Sequence, residues 1–137
     1  MKPIEILNQR NLKRTSCREG IIELVMNAGE ALSENEIRER LQGNYDRTTF
    51  YRSFKTLEEH GILHKIVVDN LLVKYALDKT VTNLDDHAHF YCQECQTVRC
   101  LENIPVTRFQ LPEGYQDVAT EVLIKGTCAT CKKQQGS

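Results

Sequence analysis

The chain has 137 residues, 40% hydrophobic and 27% charged, with a formal net charge of -1. That composition suits one globular domain or two small ones, and it supplies no global electrostatic reason to expect nucleic acid. The opening MKPIEILNQR lacks the apolar run of a signal peptide and no stretch of about eighteen apolar residues occurs, so neither export nor membrane spanning is expected and the expected compartment is the cytoplasm.

Local charge carries more information than the total. From Arg10 to Arg18 the chain holds Arg10, Lys13, Arg14 and Arg18 with no acidic residue, and from Arg47 to Lys55 it holds Arg47, Arg52 and Lys55, again with none. Clustered cations can bind phosphates at zero net charge because screening confines each to about 8 Å at physiological salt. The alternative is a pair of solvated helix faces.

Three helices are expected in the first half. In CREGIIELVMNA the apolar residues Cys17, Ile21, Leu24 and Ala28 recur at helical spacing. In SENEIRERL, Ser33 and Glu36 have the spacing of a capping box, and Ile37 with Leu41 gives an apolar edge. A third helix starts from Asp46 as N-cap and runs through RTTFYRSFKTLEEH to Gly61. After Gly61 the period changes: ILHKIVV and LLVKYAL flank Asp69-Asn70, a pair tolerant of positive φ, which predicts a hairpin. Helix, helix, helix, hairpin is the order of a winged helix.

Residues 79–86 lack an apolar pattern and form the expected linker. Beyond them, AHFYC, TVRCL and DVATEVLIKG read as short strands, with Pro105, Pro112 and Gly114 breaking any long helix and the KKQQGS tail frayed. The expected class is α+β: a winged-helix domain over 1–78, a hinge over 79–86 and a small, mainly β, metal-stapled domain over 87–137.

On the third helix, a step of 100° per residue from Phe50 places Phe54 and Leu57 on one face and Thr48, Arg52 and Lys55 on the other, with Tyr51 flanking them. The second set suits a DNA major groove: arginine bonds guanine edges or phosphate, threonine meets a thymine methyl, and tyrosine reaches the backbone. With the basic residues Lys13, Arg14 and Arg47 it makes up the expected DNA surface.

Cys92-x2-Cys95 and Cys128-x2-Cys131 are two knuckles able to supply the four thiolates that structural zinc prefers. The 32 residues between the pairs exceed the spacing of a compact ribbon, so the metal would close an intervening subdomain too small to fold on its core alone. An iron centre with the same ligands, or a redox thiol pair, are the alternatives. His87 and His89 point to one side of a strand, and Cys100 is a nearby candidate third ligand for a second metal or a free thiol, while Cys17 belongs with core packing.

Taken together, LKRTSCREGIIELV, ALSENEIRERL, TTFYRSFKTLEEHGIL, the hairpin, HAHFYC-x2-C and the late GTC-x2-C resemble the ferric uptake regulator family of bacterial metalloregulators across nearly the whole chain. The resemblance implies a homodimeric transcription regulator, a repressor, whose Tyr51-Arg52 pair enters the major groove and whose Cys92, Cys95, Cys128 and Cys131 hold zinc. It also exposes a departure. Positions where the family places regulatory metal ligands are Ala31, Ala76, Cys100 and Thr120 here, and only His87 and His89 keep their type. The expected regulatory site is therefore lost, or altered to a softer nitrogen and sulfur set favouring zinc or copper. The segment LENIPVTRFQLPEGY is too broken for the long helix that flanks the family's dimer sheet. Two other readings stand beside this one: a thiol-based peroxide switch, and a winged-helix protein-interaction module without DNA. No nucleophile is paired with a base, so an enzyme is not expected.

Overall fold

The computed structural model describes residues 2–69, 72–78, 81, 87–105, 109–117 and 120–135, with the backbone alone at Asp69, His87, Glu102, Asn103, Pro105 and Gln135. The chain divides into two compact units, residues 1–83 and 84–137.

The first unit holds four helices and a hairpin. Helix α1 (Pro3–Gln9) is absent from the sequence expectations; Pro3 sits in its first turn, where a missing N–H costs nothing, and Ile6 and Leu7 are fully buried. Helix α2 (Ser16–Asn27) is capped by the Thr15 side chain, which accepts the Arg18 N–H at 3.2 Å. Its buried residues are Cys17, Ile21, Ile22 and Val25. The expected stripe is thus shifted: Leu24 and Ala28 lie at its partly covered edge, because α2 packs against α1, α3, α4 and the hairpin and buries more than one narrow face.

Helix α3 (Glu34–Arg40) has the capping box that the sequence advertises. The Ser33 hydroxyl accepts the Glu36 N–H and the Glu36 carboxylate accepts the Ser33 N–H, each at 3.1 Å. Helix α4 (Arg47–Glu59) starts where Asp46 Oδ1 accepts the Thr49 N–H at 2.7 Å and ends at Gly61, whose φ of +70° lets the Ile62 N–H turn back to the Leu57 carbonyl.

Strands β1 (Leu63–Asp69) and β2 (Leu72–Leu77) pair antiparallel from Leu63 with Leu77 to Asp69 with Leu72, with an irregularity between Val67 and Asp69. Asn70, half of the expected turn, lies outside the described residues. Leu32 and Tyr75 exchange two backbone hydrogen bonds, at 2.9 and 2.7 Å, so the chain entering α3 adds a third partner to this sheet. Phe50, Phe54 and Leu57 meet Ile21, Ile37, Ile62 and Tyr75 in one core. Val81, placed in the linker by the sequence pattern, belongs to that core at 1% exposure; the other linker residues lie outside those described.

The second unit is a three-stranded sheet in the order β4-β3-β5: β3 (His87–Cys92) is central, antiparallel to β4 (Val98–Pro105) and parallel to β5 (Leu123–Gly126). Its buried apolar residues, among those described, are Ala88, Tyr91, Cys92 and Val98. No helix occurs among the described residues of 101–117. Helix α5 (Ala129–Gln135) corrects the expected frayed tail, since the second knuckle already makes a helical turn from the Cys128 carbonyl to the Lys132 N–H.

Candidate metal centre and nucleic-acid interface

Strand pairing assembles the cysteine quartet. The parallel register of β3 on β5 sets Cys92 across from Gly126, two residues before Cys128, so both knuckles emerge at the same end of the sheet. The Gln93 N–H to the Gly126 carbonyl, at 2.8 Å, continues that pairing. Gly126 has a packing reason: a Cβ there would stand 3.2 Å from the Phe90 ring. The first knuckle closes through the Gln96 N–H to the Cys92 carbonyl at 2.8 Å, with Gln96 at a φ of +60°.

The four Sγ atoms lie within 4.8 Å of one another, and Cys95 and Cys128 are 3.9 Å apart. A tetrahedron with metal–sulfur bonds of about 2.3 Å has edges of about 3.8 Å, so the quartet fits a zinc-sized ion. The backbone is arranged for thiolates. The Cys95 and Cys128 N–H groups point at Cys92 Sγ, the latter from 3.3 Å, and hold its pKa down to about 6. Thr97, with Oγ1 3.4 Å from Cys95 Sγ, lowers that thiol as well. Cys131 is pushed up to about 12, chiefly by Cys128 beside it. Thiols this crowded do not all ionise unless a cation joins them.

Of the candidate second set, His89 and Cys100 face each other in register across β3 and β4, whereas the His87 side chain lies outside the described residues. The quartet is the only group of three or more ligands that comes together among those described.

In the first unit, α4 divides as its sequence predicts. Phe50, Ser53, Phe54 and Leu57 are buried, while Arg47, Thr48, Tyr51, Arg52 and Lys55 are exposed. Lys13 and Arg14 are exposed in the loop before α2, which the Arg18 side chain closes by donating to the Lys13 carbonyl at 2.7 Å. The cations are not equivalent. Arg14 is paired with Glu19, and Lys55 lies 3.9 Å from Glu59, whereas Lys13, Arg47 and Arg52 make no ion pair among the described residues. One contact escapes the sequence altogether: Arg38, on α3, donates to the Tyr51 hydroxyl at 3.4 Å. The pair is thirteen residues apart and joined only by the fold, so no local pattern announces it.

The ferric uptake regulator family model matches residues 9–117. The chain belongs to that family. Members are transcription regulators, not enzymes, and the four-cysteine cluster gives this family member a metal-binding site. No curated protein matches the chain. Among solved structures, the ferric uptake regulator from Francisella tularensis with iron is similar at 21% identity and a TM-score of 0.63, over 88% of this chain and 95% of that one. The Vibrio cholerae ferric uptake regulator is similar at 18% identity and a TM-score of 0.66, over 90% and 98%. A zinc uptake regulator complexed with zinc and DNA is similar at 22% identity and a TM-score of 0.64, over 98% and 93%. No helix among the described residues is long and apolar enough to cross a membrane.

Proposed function

We propose that the chain is a cytoplasmic, homodimeric transcriptional repressor that reads a two-fold DNA operator through α4 and carries one structural zinc on Cys92, Cys95, Cys128 and Cys131. Residues 1–78 bind DNA, 79–86 form the hinge, its Val81 seated in the core of the first unit, and 87–137 dimerise. The observation that carries this reading is the outward face of α4: Thr48, Tyr51 and Arg52 stand exposed, with Arg47 and Lys55 beside them, on a helix whose other face is locked into the core. A helix so presented, followed by a hairpin, suits docking in a major groove, and the similar zinc uptake regulator is known with zinc and DNA. Zinc's contribution is to hold the ends of the β unit together; it leaves no coordination position for a substrate.

The regulatory metal site is altered. Ala31 is 2% exposed, and Ala76 and Thr120 likewise offer neither carboxylate nor imidazole. Iron or manganese sensing of the ordinary kind is lost with those ligands. The facing His89 and Cys100, with His87 on the same strand, supply the nitrogen and sulfur donors that favour zinc or copper.

Mobility shifts on DNA from the chain's own promoter test the central claim. Arg52→Ala is expected to weaken binding about tenfold or more with its melting temperature unchanged. Equal affinity of the variant and the parent would remove α4 from the interface.

A further inference from the structure

Tyr51 is held at both ends. Its ring meets Phe50 edge to face, with centroids 5.4 Å apart and an interplanar angle of 67°, and its hydroxyl oxygen accepts from Arg38 Nη1. A phenol oxygen that accepts from a guanidinium has its own proton left to donate, and that proton points away from the arginine. Arg38 in turn keeps four of its five N–H donors and forms no ion pair among the described residues. The other arginine at this end of α3 is committed: Arg40 lies 3.5 Å from Glu36 and 3.7 Å from Glu30. The result is a pair of hydrogen-bond donors, one cationic, set side by side at the exposed junction of two helices with no carboxylate ion-paired to the arginine among the described residues.

Resting on the DNA-binding reading above, we infer that Arg38 and Tyr51 form a two-donor clamp for one backbone phosphate of duplex DNA. Arg38 is a phosphate contact and also the positioning residue for Tyr51. The donor chemistry matches a phosphodiester, which offers acceptors only and one negative charge. The placement matches as well, because the first helix of a helix-turn-helix pair crosses the DNA backbone while the second enters the groove. Fixing the tyrosine before binding removes the ordering cost that a free side chain would incur on docking, so Arg38 contributes even before it meets the phosphate.

The test uses the full-length, zinc-loaded chain and a fluorescent duplex enriched by that chain from a random pool, with affinity measured over a series of salt concentrations. Arg38→Ala is expected to weaken binding about tenfold and to make the logarithmic salt dependence shallower by about one per protomer bound. Arg38→Lys keeps the charge but not the fork, so it should restore the salt slope without restoring full affinity. In a Tyr51→Phe background, Arg38→Ala should cost clearly less than in the parent. Melting curves on each variant verify folding, and Arg38→Lys and Tyr51→Phe preserve bulk should the alanine variant be unstable. Parental affinity and slope in Arg38→Ala, alongside lost binding in Arg52→Ala, would overturn the clamp and leave the reading of α4 intact. An undiminished effect in the Tyr51→Phe background would overturn the positioning role. If the parent chain enriches no duplex at all, the DNA-binding reading falls, and the clamp with it, before any variant is made.

Discussion

Lys74 is 7% exposed, and the Glu36 carboxylate is what makes a charge tolerable there. The pair fastens β2 to the start of α3, where Glu36 also completes the capping box. Burial raises the Glu36 pKa, but the Lys74 ammonium and the Ser33 donors outweigh it and hold the carboxyl below its ordinary value of 4.5. A depressed carboxyl stabilises the fold above its unfolded pKa, and that contribution disappears as pH falls through the folded value. Glu36→Gln should therefore cost about 2 kcal/mol at neutral pH by urea titration, a modest figure because 31% of the Glu36 side chain remains in solvent. The gap between variant and parent should close as the pH drops below 4.5. A gap that stayed constant into acid would show that the charge on Glu36 is not what matters.

At the level of elements, α4 is the best example of agreement between local and global signals. Its cap residue, its apolar face and its terminating glycine are all set within fifteen residues or so, and each is where the pattern puts it. Phe54 anchors it, meeting Tyr75 edge to face with centroids 4.7 Å apart. Phe54→Ala should destabilise the first unit by about 3 to 4 kcal/mol in calorimetry or denaturant melts, whereas Tyr51→Phe, a change at the exposed side, should leave stability nearly unaltered. Elements whose reason lies elsewhere in the chain were illegible. Helix α1 has only seven residues, and its identity rests on Ile6 and Leu7 finding a core made by α2 and α4. The parallel partnership of β3 with β5 joins residues more than thirty positions apart, so the cysteine spacing revealed that the knuckles meet but not which strands bring them together. The Arg38 to Tyr51 contact was hidden for the same reason.

For the whole molecule, the two units differ in what sustains them. Among the described residues, the first has a core cluster of fifteen buried apolar side chains, whereas the second buries few and, on the metal reading, relies on its thiolates. Chelation should thus split the molecule by hydrogen exchange: amides of Ile21, Ile37 and Leu57 keep their protection while those of Tyr91 and Val98 lose it, with the release of about one zinc per protomer counted by elemental analysis. A second, more labile ion in that count would favour the altered regulatory site proposed on His87, His89 and Cys100. The second unit also exposes Phe109 at 73% and Tyr115 at 70%, together with Ile104, Leu111 and Ile124, apolar side chains available to the proposed homodimer contact. Phe109→Asp should shift sedimentation equilibrium towards monomer while the metal content stays unchanged. A variant that remained a dimer would move the interface elsewhere.

The separation between the two knuckles has a consequence for how the protein is made. The described core of the first unit is complete once Val81 has emerged from the ribosome, but Cys131 follows about 3 to 10 s later at ordinary elongation rates. For about 2 to 7 s of that interval, from Cys95 to Cys131, the first pair of thiols waits in a nascent chain whose reading helix is already shaped. On the zinc reading proposed above, scarcity of the ion would then leave a full-length chain with a folded headpiece and an unclosed tail.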